Sequence, residues 1–89
     1  MKVLFDTEAW DEYVAWQAED TKVLQRLNGL IEECRRDPFR GTGKPEALRR
    51  NLTGWWSRRI TKEHRLVYRV RGSGDAQVLE VLSCRYHYG

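Results

Sequence analysis

Histidine and cysteine are scarce in this chain, and neither is spaced for chemistry that needs a metal or a disulfide. There are two of each, His64, His87, Cys34 and Cys84, among 89 residues. No CxxC pair occurs and the scattered carboxylates supply no ligand spacing, so neither a metal nor a cofactor is expected. Two distant thiols in a chain with no secretory leader read as buried, reduced side chains. A P-loop, a GxGxxG turn and a Gly-x-Ser-x-Gly elbow are all missing, which removes nucleotide-binding and serine-hydrolase readings. No apolar run approaches the ~20 residues of a membrane span, and Met1-Lys2-Val3-Leu4-Phe5 runs directly into charge. Repeats and low-complexity segments are missing too. What is left is a soluble, cytoplasmic protein forming one domain over residues 1–89. Its stability should be modest, because a chain this short buries only about 60–65% of its unfolded surface.

Aromatic rings and a divided charge are what the sequence has in quantity. Four Trp, four Tyr and two Phe give large apolar area from few positions. The net charge of +3 conceals a split. Residues 1–34 carry three Lys/Arg against eight Asp/Glu (−5), residues 35–71 twelve against three (+9), and residues 72–89 one against two (−1). The middle segment suits a polyanion: clustered cations neutralise phosphates and release counterions, so binding weakens steeply with salt. The acidic first third suits a basic partner. A merely solvated basic sheet face is the plainer alternative.

Hydrophobic spacing divides the chain into helices followed by strands. Residues 2–5 form a short strand candidate. Asp6 or Thr7 can cap a helix, and Trp10, Tyr13 and Val14 fall on one face of it. Asp20 or Thr21 offers a second cap, after which Val23, Leu24, Leu27, Leu30, Ile31 and Cys34 keep helical spacing. Arg35 and Arg36 suit the negative helix end and Pro38 stops it. The tight junction predicts an antiparallel helical hairpin. Residues 37–51, punctuated by Pro38, Gly41, Gly43 and Pro45, read as a polar loop. Strands are predicted over residues 55–60, 64–71 and 77–86, the last two joined by the turn Gly72-Ser73-Gly74-Asp75. In the middle one Leu66, Tyr68 and Val70 share a face, while Arg65, Arg69 and Arg71 share the other with Val67. The fold class is α+β: an N-terminal strand and an antiparallel helical hairpin packed on one face of a mainly antiparallel sheet. Trp55 and Trp56 are consecutive and face opposite sides, so one at most packs against the helices; both read as structural. Trp10 and Trp16 belong to the core or an interface.

Acid–base chemistry near a phosphate is the reaction type these residues leave open. RNA carries its own nucleophile, the 2′-hydroxyl. Its cleavage needs a base for that proton, an acid for the departing 5′-oxygen and a cation for the charge building on phosphorus. His87, between Tyr86 and Tyr88, can give and take a proton near neutrality; a histidine in a terminal tail can equally be inert. His64 follows a hairpin turn, where a solvated role is expected. Glu46 is one of three acidic residues in the basic segment, and a simple ion pair is its plainer role. Arg65 opens the strand with the arginine face, and Arg58, Arg59 and Arg69 suit phosphate nearly as well. Lys44, Arg49, Arg50, Arg58, Arg59 and Arg69 form the expected RNA- or ribosome-binding set. Tyr88 can stack on an unpaired base.

Four strings in order carry a family resemblance. Gly43-Lys44-Pro45-Glu46, Asn51-Leu52-Thr53-Gly54-Trp55-Trp56-Ser57-Arg58-Arg59-Ile60, Glu63-His64-Arg65-Leu66-Val67-Tyr68 and Cys84-Arg85-Tyr86-His87-Tyr88 resemble the YoeB toxins of the RelE superfamily. Arg35-Arg36-Asp37-Pro38-Phe39 extends the likeness, which runs the full length. The resemblance implies a microbial-ribonuclease-like fold and metal-independent cleavage of messenger RNA in the ribosomal A site. Under it Glu46 is the general base, Arg65 the phosphate-stabilising cation, His87 the general acid and Tyr88 an orienting or stacking residue, with Lys44 adding positive charge. It also implies a YefM-type antitoxin, a toxin–antitoxin complex that binds operator DNA, and a possible homodimer. The chain departs from the pattern at Arg49, where a lysine is expected, at the Gly72-Ser73-Gly74-Asp75 turn, and at Gly89 beyond the tyrosine. Two other readings remain: a non-catalytic toxin of the same fold that poisons gyrase, and a plain RNA- or ribosome-binding module. Neither needs Glu46 and His87.

Overall fold

Asp20 alone separates two helices, and its carboxylate explains how one residue suffices. It accepts from the backbone N–H groups of Lys22 and Val23, capping the second helix where four donors would otherwise be orphaned. The computed structural model describes residues 1–86. In it β1 spans Lys2–Phe5, α1 Thr7–Glu19, α2 Thr21–Arg36, β2 Glu46–Ala47, β3 Trp56–Arg59, β4 Arg65–Arg71 and β5 Val78–Ser83. The five strands form one sheet in the order β1-β5-β4-β3-β2, antiparallel except for the β1–β5 pair. None of the described helices is long and apolar enough to cross a membrane.

The helical hairpin covers one face of this sheet. Ala9 and Trp16 from α1, and Leu27, Leu30, Ile31 and Cys34 from α2, meet Leu66 and Tyr68 from β4 and Leu79 and Val81 from β5. Tyr13 Oη, donating to Asn28 Oδ1 at 2.7 Å, ties the two helices side by side. The second face carries Arg65, Val67, Arg69 and Arg71 from β4, as period-two alternation requires. The α+β layering read from the sequence is the architecture observed.

Several expectations are corrected. Neither Asp6 nor Thr7 caps α1 through its side chain; the Asp6 carboxyl pairs with Glu80 instead, and burial together with that neighbour raises its pKa. Residues 37–51 are not wholly loop: β2 lies within them and a single 3-10 turn at Arg50–Leu52 begins there. A two-residue edge strand has too little periodicity to show in a sequence. The last strand ends at Ser83, not at residue 86. A bulge on β5 pairs Tyr68 with Val81 but Val67 with Ser83, bending the strand away from its neighbour. The preceding turn includes a 3-10 turn at Gly74–Ala76. Its Gly72 has φ 78, and an added Cβ would stand 2.5 Å from the Ala76 oxygen. Trp16 is core. Trp10 is 49% exposed, in an aromatic cluster with Phe5 and Tyr13.

Candidate active site

Register places the charged residues of the second face. Ser57 of β3 stands opposite Val67 of β4, and Arg59 opposite Arg65. Glu46 of β2 stands opposite Ser57, so Glu46 and Arg59 are diagonal neighbours on that face. Two like charges directly opposite on an antiparallel pair repel. Arg65 meanwhile donates through Nη1 to the carbonyls of Thr61, Lys62 and His64, at 3.1, 3.3 and 3.4 Å. Beside Glu46 an open cleft of about 620 Å³ is lined by Glu46, Ala47, Leu48 and Arg49.

The loop before β2 is organised from below by Arg58. This guanidinium is fully buried on the helix side of the sheet. It donates to the carbonyls of Asp37, Arg40 and Thr42 at 2.6, 2.7 and 3.1 Å and to Tyr68 Oη at 3.1 Å. Tyr68 Oη in turn donates to Pro38 C=O at 2.6 Å. The loop therefore closes tightly on β3: Gly43 C=O accepts from Arg59 N–H at 2.7 Å. An added Cβ on Gly43, at φ +87, would meet Arg59 C=O at 3.0 Å. Lys44 follows with φ 53 and leads into Glu46. Arg58 is thus not available to RNA or the ribosome, which corrects its assignment to the binding set. The pattern held a warning, since Arg58 alternates with Trp56 and Ile60, both directed to the core.

The other predicted cations divide. Lys44, Arg49, Arg50 and Arg59 are exposed. Arg69 shares its charge with Glu80 at 2.8 Å and lies 4.3 Å over the Trp55 ring. Arg71 also pairs with Glu80, at 3.0 Å. Although burial alone would raise the Glu80 pKa, bonds from Arg69 and Asp6 outweigh it and hold the carboxyl below its ordinary value. Trp55 and Trp56 do face opposite sides, and Trp56 packs on the core.

His87, Tyr88 and Gly89 lie outside the described residues. Tyr86, which precedes them, is bonded through its carbonyl to Arg65 N–H at 2.9 Å. His64, expected to be solvated, is half-buried and accepts from Tyr86 N–H at 2.8 Å. Both cysteines are buried free thiols; burial pushes Cys34 up to about 11 and Cys84 up to about 12. Among the described residues no group of three or more His, Cys, Asp or Glu gathers as a metal-ligand set.

Comparison with known proteins agrees with the fold. The family model described as a YoeB-like toxin of bacterial type II toxin–antitoxin systems matches residues 5–88. Toxin YoeB of Escherichia coli (strain K12) is 50% identical over 88 residues, covering 99% of this chain and 100% of that protein. The solved YoeB/ParE toxin from Agrobacterium tumefaciens is 51% identical with a TM-score of 0.95, covering 99% of this chain and 100% of that one. A chain in the heterotetrameric YoeB–YefM toxin–antitoxin complex from Staphylococcus aureus is 40% identical with a TM-score of 0.85, covering 99% and 98%. The chain belongs to the YoeB-like toxin family of bacterial type II toxin–antitoxin systems.

Proposed function

We propose that this toxin is a metal-independent messenger RNA endoribonuclease acting in the ribosomal A site, with Glu46, Arg65, His87 and Tyr88 as its catalytic set. The observation that carries the reading is the register that sets Arg59 opposite Arg65 with Glu46 diagonal to Arg59. A phosphate drawn to Arg59 has that carboxylate on the neighbouring strand. Glu46 takes the proton of the 2′-hydroxyl, whose oxygen bonds to the adjacent phosphorus. The bond from phosphorus to the 5′-oxygen breaks, and His87 protonates that leaving oxygen. The products are a 2′,3′-cyclic phosphate and a 5′-hydroxyl, with no water consumed. Arg65, aided by Arg59, stabilises the equatorial oxygens, and each proton-transfer role contributes about 10²–10⁴ in rate. Tyr88 orients the substrate or stacks on a base. Lys44, Arg49 and Arg50, exposed around the Glu46 cleft, bind RNA or ribosome backbone.

The family supplies the rest of the reading: a cytoplasmic toxin acting as one domain, held inactive by a YefM-type antitoxin like the partner in the Staphylococcus aureus complex. The complex binds operator DNA, and the free toxin is able to dimerise. Mapping messenger RNA 5′ ends after induction tests the enzyme directly. New ends within translated codons, lost in Glu46→Ala and His87→Gln, are expected. Growth arrest with intact transcripts would overturn it, and DNA damage in that case would identify a gyrase inhibitor.

A further inference from the structure

Side chains of α1 and His64, with one main-chain bond from the start of β4, hold the end of the described chain. After β5 stops at Ser83, Cys84 N–H donates to Glu12 Oε1 at 2.8 Å and Cys84 C=O accepts from Trp16 Nε1 at 3.0 Å. Tyr86 N–H donates to His64 Nδ1 at 2.8 Å, and Tyr86 C=O accepts from Arg65 N–H at 2.9 Å. Between them Arg85 reaches Glu19 at 2.7 Å and lies 4.5 Å over the Trp16 ring. Glu12, Trp16 and Glu19 recur at helical spacing, so a single face of α1 handles this segment. Burial raises the Glu12 carboxyl pKa against the opposing bond from Cys84, which marks that contact as desolvated.

Tyr86 has φ 58. A side chain in the left-handed region is strained, and it persists where the surroundings over-determine it. Here both main-chain polar groups of the strained residue are bound, one by His64 and one by Arg65. The His64 ring is itself lodged against Trp16, centroids 4.8 Å apart, and Tyr86, 5.2 Å apart. A ring nitrogen that accepts an N–H bond carries no proton, so the contact exists only while Nδ1 is bare.

We propose that His64 is a positioning residue of this toxin: with Glu12 and Trp16 it fixes the turn at Tyr86 and so sets where the chain delivers His87. The proposal rests on the reading of His87 as the general acid. Proton transfer needs the donor within about 2.6–3.2 Å of its target. A loosened clamp therefore slows the chemical step while leaving RNA affinity to the arginines.

The test uses the full chain on ribosomes programmed with messenger RNA. His64→Phe keeps the ring packing and loses the acceptor. It should lower kcat about 10- to 100-fold with KM within about twofold. His64→Asn offers Oδ1 near the place of Nδ1. It should restore most of the rate. Glu12→Ala, on a partly buried side chain that accepts from Cys84 N–H, should reproduce the kcat loss, and Glu12→Gln should rescue it. Wild-type kcat in Glu12→Ala or His64→Phe, a loss confined to KM, or a His64→Asn variant as slow as His64→Phe would overturn the positioning role. An inactive wild type would instead overturn the ribonuclease reading on which it depends.

Discussion

Replacing Arg58 with methionine removes four hydrogen bonds and a buried charge while leaving the side-chain volume nearly filled. The lost bonds run to the carbonyls of Asp37, Arg40 and Thr42 and to Tyr68 Oη. Hydrogen bonds to charged groups contribute about 1.5–3 kcal/mol each when made. That sum overstates the cost, because the guanidinium no longer has to be desolvated and the exposed loop can turn its carbonyls to water. Glu33, 3.6 Å away with a side chain 39% exposed, is likewise free to resolvate. A net loss of about 3–5 kcal/mol remains, the range for breaking a buried ionic network from one side. In a domain of this size that lowers Tm by at least about 12 °C. Thermal and urea melts followed by circular dichroism measure it, with Arg59→Met as the control: exposed on the other face, it should change stability by no more than about 0.5 kcal/mol. Arg58→Lys should recover little, since one ammonium cannot fork to four partners. Trypsin should also cut sooner after Arg40 in Arg58→Met. A drop in Tm under about 3 °C, with the loop still protected, would refute the account of Arg58 as the loop's organiser.

The Asp6–Glu80 pair gives a pH signature whose sign can be worked out. Glu80 is held below its ordinary value, so its stabilisation is present above the unfolded pKa and lost as pH falls through the folded one. Asp6 is raised by burial and by Glu80, so its contribution is present at low pH and lost as pH rises through its folded value. Asp6→Asn keeps a donor for Glu80 and forfeits no side-chain cap; it should raise Tm at pH 7, with the gain vanishing near pH 3, and a lower Tm at pH 7 would contradict the pairing. Cys34 and Cys84, raised to about 11 and about 12 by burial, should resist a thiol reagent at pH 8 in the native state and react fully in denaturant. Rapid native labelling of either would sink that reading.

Local periodicity made much of this fold legible. The run from Val23 to Cys34 supplies the buried face of α2, with Leu27, Leu30, Ile31 and Cys34 all in the core. Alternation along β4 separated Leu66 and Tyr68 from the arginines correctly. What escaped were polar residues whose role is set by distant neighbours. Arg58 and Glu80 look like surface charges until the loop carbonyls and Arg69 are brought to them. His64 looked solvated because its partners, Trp16 and Tyr86, lie far along the chain in both directions. Glu46 and Arg65 were candidates on their chemistry, but the placing of Arg59 between their strands was not legible, since the two-residue β2 that aligns Glu46 beside it leaves no hydrophobic pattern.

The parallel pairing of β1 with β5 bears on how the toxin comes into being. Lys2 and Phe5 find their sheet partners at Val78 and Val81, so the first strand waits unpaired until nearly the last has been synthesised. Closing a loop of that span carries an entropic cost, and pairings so remote in sequence slow the search for the native state. A nascent copy on its own ribosome therefore cannot complete the β1–β5 pair, or gain the clamp on residues 84–86 beyond it, until that stretch has emerged. Assembly order, written into strand order, delays the poison until residues 78–86 have been made.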